Sequence, residues 1–211
     1  GTTADSLSSL SSLSPSVLMP AATALDKRGL TPLHYAVLTG SHELVALMTG
    51  AGASGLATQS KAPRRAGQTA LHMAAASGHV RIVLTLLSSG AEPNITDEAR
   101  RLPLHYVLDT EYTAPEVVDV PPAGDLPAVS LPDEAKRLLI ARLLLESGSK
   151  IAADDSAGLT PLHLAARNSL THVTELLLAF GASPYALTKK KETVFDVAST
   201  PCKAFVSNAL S

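Results

Sequence analysis

The stretch Thr160-Pro-Leu-His-Leu-Ala-Ala166 decides how this chain is read, because versions of it return at regular spacing. It recurs as Thr31-Pro-Leu-His34, Thr69-Ala-Leu-His72 and Leu102-Pro-Leu-His105, and fades into Thr193-Val-Phe-Asp196. The first residues of these copies lie 38, 33, 58 and 33 apart, which is one period of 33 with insertions of 5 and 25. Each copy is a helix start. A polar residue ahead of proline satisfies a free amide at the first turn, where proline has no amide hydrogen to lose. Ala74-Ala75 and Ala165-Ala166 then leave a slim helix that can sit close to its neighbours. The Leu-rich segment that follows must bury a broad apolar stripe. A slim inner helix and a bulky outer one are therefore expected per unit, with Gly52, Gly90, Gly148 and Gly181 as left-handed caps.

The period and the tetrapeptide resemble the ankyrin repeat. The second copy adds Gly67 before it and Gly78-His79, Ile82-Val83, Leu86-Leu87, Gly90-Ala91 and Asn94 after it. In the fourth, Asp155, Gly158, Val173, Leu176 to Leu178 and Gly181-Ala182 fall at the same offsets. The resemblance implies an all-α solenoid of helix-turn-helix units joined by hairpin-like fingers. It divides residues 23–211 into repeats at about 26–56, 64–96, 97–152 and 155–187 with a C-terminal cap at 188–211. The motif residues Thr31, Pro32, Leu33 and His34, Thr69, Leu71 and His72, Pro103, Leu104 and His105, and Thr160, Pro161, Leu162 and His163 are then structural. Leu162 and Leu177 are expected in the core.

Composition agrees with packed helices. The chain is 45% hydrophobic yet only 3% aromatic, with no Trp, so its core is built of Leu, Ala, Val and Ile. A lone cysteine, Cys202, leaves no internal disulfide, which fits a reducing compartment. Residues 1–22 lack the basic start of a signal peptide. Apolar runs such as 138–145 are interrupted by Arg142 and fall short of the ~20 residues that span a bilayer. An intracellular, most simply cytoplasmic location is expected, with the nucleus as the alternative.

Three segments break the period. Residues 1–22 are Ser-rich, with Leu7, Leu10 and Leu13 on one helical stripe until Pro15, and read either as a capping helix near 6–13 or as a disordered tail. The five extra residues before the second repeat make a longer, basic finger with Lys61, Arg64 and Arg65. The third repeat has Arg100 and Leu102 where its siblings have Gly and Thr, and an acidic, Pro-rich insertion at 111–131. Pro-rich segments of this kind are loops; apolar residues such as Val117 and Val118 make it an arm expected to lie partly against the solenoid. The outer helix resumes near Pro132-Asp133-Glu134, about two turns longer than its siblings.

Catalytic chemistry finds little support. Gly50-Ala-Gly-Ala-Ser-Gly55 matches a dinucleotide-binding spacing, but it follows a helix and opens none. His34, His72, His105 and His163 recur once per repeat, on stacked helices ~8–10 Å apart, too far to share a metal at ~2.1 Å. The family uses this His to brace the finger backbone, and Asn94 to brace its turn. No enzyme, cofactor or metal is expected. What remains is surface: ten of 17 basic residues lie in fingers, partly offset by Asp26, Asp97, Asp155 and Glu192. The resemblance implies a non-catalytic protein-protein interaction module, a scaffold or adaptor, expected monomeric and without membrane contact. It places the partner on the concave face of fingers and inner helices: Lys27, Arg28, Leu38, Thr39, Arg65, Gln68, Ser77, Arg101, Asp109, Arg167 and Asn168, extended by Lys189 and Lys190. Arg65, Arg101, Arg167 and Asn168 are expected to be surface residues that matter little to stability. The alternatives are a regulatory or targeting domain of a larger enzyme, and a binder of an anionic ligand through the basic fingers. Nucleic acid is disfavoured by the net charge of −2 and the lack of aromatic interleaving.

Overall fold

A computed structural model describes residues 23–50, 55–63, 65–110 and 133–210. The Ser-rich segment, Gly52, Arg64 and the insertion at 111–131 lie outside the described residues. The inner helices are α1 (Pro32–Leu38), α3 (Ala70–Ala76), α5 (Pro103–Leu108), α7 (Pro161–Arg167) and α9 (Val194–Val197). The outer ones are α2 (His42–Gly50), α4 (Val80–Ser88), α6 (Asp133–Glu146), α8 (Thr171–Ala179) and α10 (Thr200–Leu210). Each inner helix packs on its own outer partner and on the inner helices of adjacent units, and the outer helices do the same. The result is a two-layer stack whose contacts run between neighbours. The only β pairing among the described residues is a bridge between Leu187 and Thr193 in the last finger.

The inner helices start as the sequence predicts. Thr31 has extended backbone, its hydroxyl accepts from the His34 amide, and its own amide donates to His34 Nδ1 at 3.1 Å. Thr69 and Thr160 repeat the arrangement with His72 and His163. Leu102 has no side-chain acceptor, so there only the Leu102 amide to His105 Nδ1 bond survives, at 3.0 Å. In the cap, Asp196 replaces the histidine and accepts from both the Thr193 amide and hydroxyl.

The core is aliphatic, with Leu71, Met73, Leu104, Leu108, Ile140, Leu144, Leu162 and Leu177 at most 2% exposed. Ala74, Ala75, Ala165 and Ala166 are buried where inner helices meet. α4, α6 and α8 end on left-handed glycines, Gly90, Gly148 and Gly181: at Gly90 (φ +89°) the Gly90 and Ala91 amides turn back to Leu87 and Leu86. α6 has 14 residues against nine in α4 and α8. The excess is about one and a half turns, shorter than the two predicted.

Candidate protein-binding surface

The fingers are held at two levels. Within a finger, an aspartate five residues before the helix cap closes the turn. Asp26 Oδ1 accepts from the Arg28 and Leu30 amides at 2.9 Å, and Asp155 Oδ1 from Ala157 and Leu159 at 2.8 Å. Thr188 Oγ1 does the same in the last finger. These aspartates are turn braces more than neutralising charges. Hydrogen bonds from the Leu30 amide and the Tyr35 hydroxyl lower the pKa of Asp26. Between fingers one backbone bond recurs: Glu98 to Ala66, Ser156 to Ala99 and Lys189 to Ala157, each amide donating to the preceding finger's carbonyl. At the first junction Lys61 donates to Gly29 instead. The five-residue insertion has put Lys61 in the place that Glu98, Ser156 and Lys189 hold elsewhere. A Cβ on Gly67 would meet the Glu98 amide at 2.7 Å, and its φ is +80°, so both space and conformation require glycine there.

The motif histidines tie one unit to the next. His72 Nε2 lies 3.1 Å from the Arg101 carbonyl in the following finger. The carbonyls of Gln68, Leu159 and Glu192 stand in the same relation to His34, His105 and His163 and favour the ring proton without full hydrogen-bond geometry. With Nδ1 accepting from a backbone amide, the ring is neutral and carries its hydrogen on Nε2. Burial holds His34 and His72 at about 4, and lowers His105 and His163 as well. Among the described residues no three His, Cys, Asp or Glu side chains gather as a metal site. Cys202 is buried beside the Thr174 hydroxyl. Asn94 donates to the Gly148 carbonyl and accepts from the Lys150 amide, so it ties its turn to the equivalent turn of the next repeat instead of bracing its own alone.

The predicted partner-facing residues divide. Lys27, Arg28 and Arg167 are exposed, and Leu38, Thr39, Ser77 and Asp109 are half-buried along the inner-helix ends. Arg65 and Gln68 correct the expectation: they are 7% and 2% exposed. Arg65 lies against Met73 Sδ at 3.5 Å. Gln68 Nε2 donates to the Tyr106 oxygen at 2.7 Å. Arg101 is half-buried, pairing with Asp97 at 3.2 Å and Asp109 at 3.8 Å. Asn168 donates to the Leu108 carbonyl at 2.6 Å. Arg65 is therefore a buried group and not a surface one, and Arg101 and Asn168 are half-buried and hydrogen-bonded.

Two features escape the sequence reading. Tyr106 is the hub of the third repeat: its hydroxyl donates to Asp97 Oδ2 at 2.6 Å, accepts from Gln68 and Arg101, and its ring lies 4.2 Å from the Arg101 guanidinium. Burial, then the Asp97 bond, pushes its pKa above the usual tyrosine range. Tyr35 bonds Asp26 at the same register, nine residues on, so an Asp and Tyr nine apart was the available signal. Arg137 donates to the Val107 and Asp109 carbonyls, which with Asn168 ties down the end of α5 where the insertion departs.

Comparison with known proteins agrees with this geometry. A family model described as ankyrin repeats in three copies matches residues 10–97, and a single ankyrin repeat matches residues 157–189. The chain belongs to the ankyrin-repeat family. It is 32% identical over 177 residues, 79% of its length, to a probable E3 ubiquitin-protein ligase XBOS32 of Oryza sativa subsp. japonica. Over 28% of its length it is 44% identical to the putative E3 ubiquitin-protein ligase XBAT34 of Arabidopsis thaliana. Over another such share it is 41% identical to an ankyrin repeat and LEM domain-containing protein 1 homolog of Caenorhabditis elegans. The matches span 34%, 16% and 8% of those proteins. No helix among the described residues is long and apolar enough to cross a membrane.

Proposed function

We propose that this protein-protein interaction module holds its partner on the face formed by finger tips and inner-helix ends, and that Lys27, Arg28 and Arg167 contribute most. The observation that supports this reading is that these three side chains are exposed while their neighbours on the same face are held in finger and inter-repeat hydrogen bonds. Exposed side chains on a rigid frame bind without an ordering cost at the frame. The role is non-catalytic, a scaffold or adaptor. Replacing Lys27, Arg28 and Arg167 together by Ala is expected to leave the thermal transition near wild type and to weaken capture of the native partner at least tenfold. Unimpaired capture by that folded variant moves the interface to another face.

A second reading, in which the chain is the regulatory or targeting region of a larger enzyme, is favoured by the two relatives named as ubiquitin ligases. Assaying the full-length protein for ubiquitin transfer with and without residues 23–211 tests it. Substrate modification that depends on the region supports this reading, and a full-length protein without transfer activity refutes it.

A further inference from the structure

The first repeat has a stacking face that its siblings cover and it leaves open. In the second and fourth repeats Ile82 and Leu86, and Val173 and Leu177, are at most 2% exposed. The same places in the first repeat hold Leu44 and Met48, which are only half-buried. Tyr35 is likewise half-buried where Met73 and Leu164 are buried, and Pro32 is exposed where Ala70 and Pro161 are buried. These four side chains line an open hollow of about 520 Å³. That is many times the ~30 Å³ of one water molecule, so several side chains are needed to fill it. Among the described residues Asp26 alone brings a charge to its wall. At the far end of the stack the chain closes its own last face: α10 packs on α8, with Cys202 and Val206 fully buried.

Ala24 and Leu25 form part of the hollow, so the chain that precedes them arrives at its mouth. Residues 6–25 contain no charged side chain, and Leu7, Leu10 and Leu13 recur at helical spacing. The intervening residues 14–22 span up to about 30 Å when extended. α2 is only ~14 Å long, so the leucine stripe can reach any part of the hollow. The ankyrin-repeat family model begins its match at residue 10, ahead of Asp26, where the first complete repeat opens. Residues 10–25 therefore align with the end of a preceding repeat, the element that covers this face in every later unit.

We propose that residues 7–19 of this chain occupy the hollow as a truncated N-terminal half-repeat, with Leu7, Leu10 and Leu13 packed on Leu44, Met48 and Tyr35. Solenoids need such a cover on their terminal units. Because Ala24 and Leu25 lead straight into the first finger, the cap also fixes the base of the loop that carries Lys27 and Arg28.

Hydrogen exchange on the full chain, resolved by peptide, tests the proposal. In the wild type the amides of residues 7–19 are expected to exchange at least tenfold more slowly than in an unstructured peptide, at every protein concentration. Leu10→Ser with Leu13→Ser is expected to remove that protection and to speed exchange in α2 at least tenfold, while α8, three repeats away, is unaffected. Residues 7–19 exchanging at the unprotected rate in the wild type overturn the proposal, whatever the variant does. Protection of α2 that grows with protein concentration overturns it in favour of a second copy as the occupant. Equal exchange of α2 in wild type and variant also overturns it, and leaves the hollow to a partner.

Discussion

The third and fourth repeats reach the same geometry by different means. The fourth uses Gly158 at positive φ, the Thr160 hydroxyl at the helix cap and Asp155 in the turn. The third has Arg100 at φ +60°, a leucine at the cap, and an inner helix that leaves through an extended Asp109 where the fourth turns at Ser169 with φ +61°. Its missing bonds come from other units: Gln68 reaches across from the second repeat and Asn168 from the fourth. A repeat that departs from the pattern is thus held by its neighbours, and its stability is more strongly coupled to theirs.

Core truncation tests whether that difference is confined to polar groups. Leu162→Ala and Leu177→Ala in the fourth repeat are each expected to cost ~2–5 kcal/mol. Leu104→Ala and Leu144→Ala, equally buried in the third, are expected to cost the same. Urea unfolding measures all four. A third repeat that loses clearly less would have a looser core, and the comparison would then be one of packing.

Acid acts on the whole stack through the histidine ladder, whose four rings are all lowered by burial. Unfolded, these rings take up protons near 6.5, whereas His34 and His72 in the fold do so only near 4. Between those values the unfolded chain binds more protons, so stability is full above about pH 7 and falls as pH drops toward 4. The loss is on the order of 1–3 kcal/mol per ring. A melting temperature that stays flat from pH 7 to 4.5 would show that these rings charge without cost.

The hub is the next largest effect. Tyr106→Phe leaves Asp97 and Gln68 without their shared partner in a buried site, at a cost of ~1–3 kcal/mol. Tyr35→Phe removes the same Asp–Tyr bond at an exposed site and is expected to cost less than ~0.5 kcal/mol. Equal losses would mean that the third repeat does not depend on its hub.

The part of this fold visible in the sequence was the part fixed locally. Thr–His caps, the glycines after α4, α6 and α8 and the alanine pairs act within a turn or two of chain, so the period alone located them. The hub's bond to Gln68 and the clamp on α5 join residues 38 and 60 positions apart, and beyond the Asp–Tyr spacing of nine no local pattern announces them. The reading of exposure held where the register is regular, at Lys27, Arg28 and Arg167. It failed at Arg65 because the five-residue insertion put Lys61 on the inter-finger bond and Arg65 inside.

Arg100 gives the smallest and most discriminating change. A side chain in the left-handed region costs ~1–2 kcal/mol, and Gly29, Gly67 and Gly158 avoid this at equivalent places. Arg100→Gly relieves that strain but frees the unfolded chain, which offsets ~0.4–1 kcal/mol. It also deletes the exposed pair with Asp154, worth ~0.2–1 kcal/mol. The terms nearly cancel, so a net change within about 0.5 kcal/mol is expected, and Asp154→Asn alone isolates the pair. If Arg100→Gly destabilises by more than about 1 kcal/mol while Asp154→Asn accounts for most of it, the pair is a strut between the third and fourth fingers. The third repeat would then hold its strained backbone in exchange for a contact that the glycine-bearing fingers lack.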